Sequence, residues 1–260
     1  MRIPKIGVDY ELKLPKGYLS VSQVEMYLRC PMQYWFSYVQ DAKKVTSSPQ
    51  FEGTCLAHAL EMVGRRKMEG KYQIESDFAM KEYGKFLKKH SGSVDTWAFG
   101  DTPRTLKSRA DLFLDAFFRE GHAAELKPEG VEVEFNVEIA GVPIKGVADV
   151  VEPNYIFDYK VYRSMRYLKP ERSFQLSMYA HVFQKKRVGY IVFLKEGKKP
   201  IEVVSAERDL DRTRLWLECV VSNVAMSISN GSFAPCNPAE NVLCDERWCS
   251  FFGECYGACS

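Results

Sequence analysis

Two aspartates and a lysine lie within twelve residues of each other, on segments with the pattern of adjacent strands. Asp149 lies in GVADVV, and Asp158 and Lys160 lie in IFDYK. Residues two apart in a strand share a face, and a hairpin can bring Asp149 beside them. Neighbouring carboxylates suit Mg²⁺ or Mn²⁺, and a nearby lysine can offset charge on a phosphate. The pattern indicates metal-assisted phosphodiester cleavage, although Asp-x-Lys by itself more often marks an ordinary salt bridge.

Three further polar residues could support this chemistry, and each also has a purely structural explanation. Gln175 and Tyr179 are four apart in a segment of helical period, 171–185, so they share one helical face. A surface glutamine beside a core tyrosine produces the same pattern. His58, in GTCLAHALE, is either a site residue or a hydrogen-bonded core histidine.

Together these residues resemble the RecB-like branch of the PD-(D/E)XK nucleases, and the resemblance covers most of the chain. The matching elements are a histidine after Gly53, an aspartate on a strand, Asp-x-Lys at 158–160 and Gln-x-x-x-Tyr at 175–179. Ala148 stands before the strand aspartate, where this family often has proline.

The resemblance assigns a role to each of these residues. It implies three side-chain metal ligands and one main-chain carbonyl ligand, namely His58, Asp149, Asp158 and the carbonyl of Tyr159. It implies Lys160 as the catalytic lysine. Gln175 and Tyr179 would then support the lysine and the DNA strand.

Five of the eight cysteines fall in the last 25 residues. Three of them form the pattern Cys244-x4-Cys249-x5-Cys255, and Cys30 precedes proline more than two hundred residues earlier. Clustered thiolates in a reducing compartment satisfy either a tetrahedral zinc ion or an iron–sulfur cluster. The spacing alone does not choose between them.

The paired Cys-x2-Cys elements of a zinc knuckle are absent from this tail. A remote Cys-Pro followed by aromatics, with a C-terminal cysteine trio, resembles the iron–sulfur RecB-like nucleases: AddB-type subunits, CRISPR adaptation nucleases and phage exonucleases. This resemblance implies a [4Fe-4S] cluster on Cys30, Cys244, Cys249 and Cys255. Of the other four, Cys259 is the substitute ligand, Cys236 a bystander, and Cys55 and Cys219 small buried residues.

A basic segment with interleaved tyrosines, KVYRSMRYLKPERSFQ, follows the lysine of the acidic pattern. Cations on phosphates and rings under bases are what binding of a single strand requires. The segment therefore predicts a DNA contact, unless it is simply a solvated loop. The predicted contacts are Arg163, Arg166, Tyr167 and Arg172.

Composition excludes several classes of protein. The 260 residues carry 36 Lys+Arg against 34 Asp+Glu, a net charge of +2, and 46% are hydrophobic. This excludes a disordered chain and a uniformly basic nucleic-acid coat. No window approaches the ~18 apolar residues of a membrane span, and the amino terminus lacks a secretory signal. We expect a soluble protein with no membrane contact, in the cytoplasm of a bacterial or phage-infected cell.

Periodicity predicts helices before strands. Helices are expected at 53–69, 75–90, 104–119, 171–185 and 208–229, strands at 131–141, 142–152, 155–161, 188–195 and 201–207, and a helix broken at Cys30-Pro31 within 19–40. The fold class is α/β, a mixed central sheet flanked by helices as in a restriction-endonuclease-like core, with a helical N-terminal part and a cluster-stapled tail. We expect one nuclease domain over 1–260, with its core at 129–229 and a cluster-binding part formed by 19–45 and 230–260.

The sequence thus predicts a Mg²⁺- or Mn²⁺-dependent deoxyribonuclease, an exonuclease on single-stranded or end-exposed DNA in recombination, repair or phage DNA processing. A recombination or annealing protein is a candidate partner. Two alternatives are a non-catalytic, zinc-stapled DNA-binding module and a CRISPR adaptation nuclease. Oligomeric state and digestion polarity have no signal in the sequence.

Overall fold

A computed structural model of the chain describes residues 12–43, 45–241, 243–246 and 248–257. It has a six-stranded mixed sheet flanked by helices, which confirms the predicted fold class. Among the described residues, no helix combines the length and apolar character needed to cross a bilayer. The chain divides into two compact units. The first is Met1–Lys44, Phe135–Gly146 and Leu210–Ser260, and the second is Val45–Glu134 and Val147–Asp209.

The sheet contains the five predicted strands and one short additional strand, Leu19–Ser20. Its strands are β1 (Leu19–Ser20), β2 (Gly130–Ile139), β3 (Val142–Val151), β4 (Tyr155–Tyr162), β5 (Arg187–Leu194) and β6 (Ile201–Glu207). In the second unit, β4 pairs antiparallel with β3 and parallel with β5, and β5 pairs antiparallel with β6. A parallel pair needs a crossover, and the helix Phe174–Phe183 supplies it between β4 and β5.

The second unit carries five helices: α3 (Ser48–Met68), α4 (Ser76–His90), α5 (Pro103–Arg119), α6 (His122–Glu125) and α7 (Phe174–Phe183). Helix α3 begins five residues before the predicted start. The Ser47 N–H donates to Gln50 Oε1 across 3.3 Å, and a proline lies in the first turn, where its missing N–H costs nothing. Helix α6 was not predicted, because four residues are too few to show a period.

The core of the second unit lies between α3, α5 and the sheet. Apolar residues of α3 recur at helical spacing on one face, so one stripe of the helix is buried. Burying one such leucine or phenylalanine stabilises the fold by about 1.5–3 kcal/mol. The stripe and its partners include Phe51, Leu56, Leu60, Val63, Leu114, Phe117, Val150, Ile191 and Phe193.

The first unit joins both ends of the chain. Its helices are α1 (Val21–Arg29), α2 (Pro31–Tyr34), α8 (Leu210–Ser229) and α9 (Phe252–Gly257). Ser20 caps α1 by accepting from the N–H of Gln23 at 3.2 Å. The predicted break at Cys30-Pro31 is confirmed, and a π-helical turn, Trp35–Val39, follows α2. Helix α9, like α6, is too short to have shown a period.

Candidate active site and cysteine-lined cavity

The two predicted site aspartates lie side by side at the junction of β3 and β4. The ladder pairs Val150 with Phe157. One position further, the Asp149 carboxylate accepts the N–H of Tyr159 through Oδ2 at 2.8 Å. Asp158, opposite it in this register, is 1% exposed. The strand period therefore brings both carboxylates into the interior of the second unit.

Lys160 faces the buried aspartate and is held by a chain of hydrogen bonds. Its Nζ lies 2.5 Å from Asp158 Oδ2 and donates to Gln175 Oε1 at 3.1 Å. Gln175 Nε2 donates to the Tyr179 hydroxyl at 2.8 Å, and that hydroxyl donates to the carbonyl of Val147 at 2.6 Å. Residues from β3, β4 and α7 together fix the position of the ammonium group.

Burial and mutual repulsion dominate the electrostatics of the pair. Burial, and then the neighbouring Asp158 carboxylate, raise the pKa of Asp149 to about 8. Burial also raises the pKa of Asp158, and Lys160 offsets this only in part. For Lys160, burial lowers the pKa, but the two carboxylates outweigh it and the net shift is upward. Lys160 is therefore an ammonium at neutral pH, which suits a cationic donor better than a base.

The donor set at this pair fits a small hard cation. Asp158 Oδ2 is buried and, although close to Lys160, makes no hydrogen bond of acceptable geometry. A cation bound to the pair would interact with this oxygen directly and would lower the pKa values of both aspartates. Mg²⁺ is commonly held by only one or two carboxylates, with waters and substrate phosphate completing the shell.

His58 lies on α3 in the same unit, with partners of its own. Its Nδ1 is 3.6 Å from Glu61 Oε2, and its ring packs at a tilt against Phe86 with a centroid distance of 4.6 Å. Among the described residues, no three His, Cys, Asp or Glu side chains converge tightly enough to hold a single ion. The histidine's role as a metal ligand therefore stays a prediction.

A third carboxylate beside the pair, Glu132, was not predicted. It sits in β2 with a positive φ of 48°, which is unusual for a residue other than glycine. Burial, and then the carboxylates of Glu61 and Asp158, raise its pKa. In the sequence it looks like an outward residue of the alternating run VEVEF, and the pattern carries no sign of this backbone conformation.

We expect the pair to make the metal-free protein less stable as pH rises. Its raised pKa lets Asp149 keep a proton in the folded state that the unfolded chain, at an ordinary value of 3.8, releases. The resulting stability is full below about pH 4 and is lost as pH rises through about 8. Asp149→Asn should weaken this dependence and, at about pH 9, stabilise the metal-free protein by on the order of 1–3 kcal/mol.

Urea unfolding in chelator at about pH 6 and about pH 9 measures this effect. Asp115→Asn removes a carboxylate on α5 that is 57% exposed, and it should change neither the stability nor its pH dependence. If Asp149→Asn loses as much stability as wild type between the two pH values, the raised pKa of Asp149 is not the cause.

The basic segment lies between β4, which carries Lys160, and α7. It contains two short 3-10 turns, Met165–Tyr167 and Pro170–Arg172, and the side chains of Arg166 and Arg172 are exposed. Arg163 is paired with Glu196 at 2.6 Å, so its charge is partly offset. The side chain of Tyr167 lies outside the described residues.

A buried arginine that the sequence did not reveal anchors this segment. Arg208 donates to the carbonyl of Pro170, and through Nε to Ser177 Oγ at 3.2 Å. It follows β6 within the charged run ERDLDRTR, where nothing in its spacing distinguishes it from the neighbouring charged residues.

In the first unit, the cysteines predicted as cluster ligands all line one cavity. Cys30 lies between α1 and α2, Cys244 and Cys249 lie in the turns before α9, and Cys255 lies within α9. None of the four forms a disulfide. Phe36 stacks on Phe251 at 5.0 Å beside the cavity, so its wall is apolar. Sulfur donors in an apolar enclosure are the donor set of a thiolate-bound metal centre.

Cys236 lines the same cavity, and its role as a bystander to the four predicted ligands stays a prediction. Burial, and then the neighbouring thiols of Cys30 and Cys244, raise its pKa to about 12. One prediction about the remaining cysteines is wrong. Cys219 is half-exposed on α8 rather than buried, whereas Cys55 is fully buried as predicted. Cys259 lies outside the described residues.

The family model of the PD-(D/E)XK nuclease superfamily matches residues 18–256. The crystal structure of a putative exonuclease from Eubacterium rectale has a TM-score of 0.56 and 14% identity, covering 85% of this chain and 84% of that one. The solved structure of SSO0001 has a TM-score of 0.38 and 17% identity, covering 88% and 90%. No curated protein sequence matches the chain.

Proposed function

We propose that this chain, which belongs to the PD-(D/E)XK nuclease superfamily, is a Mg²⁺- or Mn²⁺-dependent exonuclease that hydrolyses single-stranded or end-exposed DNA. The observation that carries the proposal is the Asp149–Asp158 pair, in which the Asp158 carboxylate is buried with Oδ2 2.5 Å from the Lys160 ammonium group. A buried pair of like charges costs stability, so its presence favours a functional reason. The solved protein of similar fold carries an exonuclease description, which supports the exonuclease mode.

In the proposed mechanism the carboxylates of Asp149 and Asp158 would hold the cation, with the Tyr159 carbonyl and His58 as further ligands. A Mg²⁺ or Mn²⁺ ion held there would supply Lewis-acid chemistry at the phosphate and at the attacking water. The Lys160 ammonium group donates a hydrogen bond to the phosphate or to the attacking water. Gln175 and Tyr179 fix the position of the Lys160 ammonium group through their hydrogen bonds.

A time course on 5′- and 3′-labelled single-stranded DNA with Mn²⁺ tests the activity directly. We expect label to be released progressively from one end, with no cleavage in chelator. Products of random internal length would replace the exonuclease mode with an endonuclease mode. Binding of DNA without any divalent-dependent cleavage would favour the non-catalytic module instead.

We propose that the basic segment binds the DNA strand through its exposed arginines. Arg166→Ala and Arg172→Ala should each weaken binding of non-cleaved DNA, without sequence preference, because a phosphate contact is lost. Each should reduce the slope of log K against log salt by about 0.7 for a single strand. Fluorescence anisotropy in chelator across a salt series measures both quantities.

Arg119→Ala is the matched control for these variants. Arg119 is 69% exposed at the end of α5 and is paired with Asp115, away from the basic segment in the sequence. It should leave the affinity and the slope unchanged. If Arg166→Ala and Arg172→Ala behave like this control, the segment is only a solvated loop.

We further propose that the cysteine-lined cavity binds a [4Fe-4S] cluster through Cys30, Cys244, Cys249 and Cys255. All four line one cavity with an apolar wall, and the tail lacks the paired Cys-x2-Cys elements of a zinc knuckle. The proposed setting is DNA processing in the cytoplasm of a bacterial or phage-infected cell, with a recombination or annealing protein as partner.

A further inference from the structure

An exposed phenylalanine lies at the tip of a tight turn in the second unit. Asp101 donates its N–H to the carbonyl of Ala98 at 2.9 Å, so residues 98–101 form a β-turn, which we call the aromatic turn. Gly100 has a positive φ of 79° at the third position, where a type II turn requires one. Phe99, at the second position, is fully exposed, and Trp97, just before the turn, is 36% exposed. Two aromatic rings of one short loop are therefore accessible to solvent.

The buried side chain of Ser48 anchors the aromatic turn to the first turn of α3. Its Oγ accepts the N–H of Ala98 at 3.0 Å, and its hydroxyl donates to Asp101 Oδ2 at 2.7 Å. The N–H of Ser48 donates to the carbonyl of Thr96 at 2.9 Å. Both ends of the turn are thus fixed, and the position of the exposed ring between them is set by the backbone.

A chain of ion pairs joins the aromatic turn to the end of β4. Arg109 donates through Nη2 to Asp101 Oδ1 and through Nε to Glu52 Oε1, both at 2.7 Å. The other oxygen of Glu52 is 2.5 Å from Lys195 Nζ. Lys195 follows β5, and its N–H donates to the carbonyl of Tyr162, the last residue of β4, at 2.9 Å. The network therefore holds the turn in place relative to the strand of the candidate site.

The span from the aromatic turn to the candidate site matches a short stretch of DNA. Ser48, which anchors the turn, and His58, one of the proposed metal ligands, lie ten residues apart on α3. At a rise of 1.5 Å per residue this is about 15 Å along the helix axis. Stacked bases of one strand are about 3.4 Å apart, so about four or five nucleotides cover the same distance.

Exposed cations neighbour the aromatic turn and its ion-pair network. Arg104 lies in the first turn of α5, five residues after Phe99. Lys198 and Lys199 lie just after Lys195, in the segment that joins β5 to β6. Cations for phosphates beside a ring for a base are the combination that binds single-stranded nucleic acid.

We propose that the Phe99 ring stacks on a base of the DNA strand about four or five nucleotides from the scissile phosphate, and so favours single-stranded substrate. The proposal rests on the nuclease activity proposed above and names a substrate contact for it. Isolated exposed rings are common on protein surfaces, but this one is held on a turn that a buried network supports. A ring fixed in place loses little entropy when it binds, and every base offers it a face.

The test is a cycle that removes the ring and the bases separately. Affinity is measured by fluorescence anisotropy in chelator for a labelled strand of about twelve nucleotides and for a strand of the same length made only of abasic sites. Phe99→Ala should bind the first strand about tenfold more weakly than wild type, within the range for one stacked base. On the abasic strand the two proteins should bind equally, because only phosphate contacts remain.

Two variants control for other effects of the substitution. Phe99→Tyr keeps a ring and should keep the wild-type affinity for both strands. Tyr72→Ala removes a ring that is 67% exposed beyond the opposite end of α3, and it should change neither affinity. All three variants should keep the wild-type melting temperature, since both side chains are largely outside the core.

Cleavage kinetics test the predicted position of the contact. With Mn²⁺, Phe99→Ala should raise KM for the twelve-nucleotide strand by about tenfold and leave kcat unchanged, because stacking binds substrate and transition state alike. A strand of three nucleotides bound at the site is too short to reach the ring, so its KM should be the same in both proteins.

Each negative result has a separate meaning. Equal affinity of Phe99→Ala and wild type for the base-containing strand, or an equal loss on the abasic strand, would overturn the stacking contact. An equal rise in KM on the short and the long strand would overturn its position. Wild-type protein that binds the strand but cleaves nothing would overturn the proposed nuclease activity, while the binding cycle would still decide whether Phe99 stacks on a base.

Discussion

Lys160→Ala should lower the rate of DNA cleavage by about 10²–10³-fold, the loss expected when one preorganised donor to a reacting phosphate is removed. The ammonium group stays charged because Asp158 lies 2.5 Å away, and Gln175 holds it at 3.1 Å. No other described lysine shares these contacts. The measurement is the single-turnover rate on labelled single-stranded DNA with Mn²⁺. A variant that cleaves as fast as wild type would remove Lys160 from the site.

Loss of the lysine also leaves Asp158 without its counter-charge, so folding must be checked separately. Lys160→Arg keeps the charge but replaces a point donor with a planar fork, and it should keep the wild-type melting temperature while losing most of the activity. Lys81→Ala, an exposed position on α4, is the matched control and should change neither quantity. Equal activity in Lys160→Arg and wild type would show that only the charge matters.

Cys249→Ala should give poorly soluble, colourless protein. A cluster that joins Cys30 to the C-terminal cysteines closes a loop spanning nearly the whole chain. By analogy with a long-loop disulfide, such a cross-link contributes on the order of 4–5 kcal/mol, comparable with the entire stability of many domains. The measurements are iron content, absorbance of the brown chromophore and thermal melting.

Cys219→Ala is the control, because it removes a thiol of the first unit outside the cavity. It should keep the colour and melt within a few degrees of wild type. If Cys249→Ala also keeps the brown colour and the wild-type melting temperature, Cys249 is not a ligand. A zinc stoichiometry near one in wild-type protein, without iron, would favour the alternative zinc site.

Local periodicity was sufficient to predict most helices and strands, and to predict which residues share a face of one element. The period of two put Asp158 and Lys160 on one face of β4, and the helical period put Gln175 and Tyr179 on one face of α7. Both inferences need only neighbours along one element, which the sequence specifies directly. The same is true of the break at Cys30-Pro31, because proline lacks the N–H a continuous helix requires.

Contacts between segments distant in the chain had no such local signal. Glu132 lies on a different strand from Asp158, whose charge affects its pKa, and Arg208 reaches the basic segment from beyond β6. Nothing in the spacing of Cys236 connects it to Cys30, two hundred residues away, and a main-chain hydrogen bond brings the two segments together. Residue types and their periods thus specify which groups can do chemistry. Only the packed tertiary structure specifies which charges and sulfurs are neighbours, since burial and long-range hydrogen bonding depend on the whole fold.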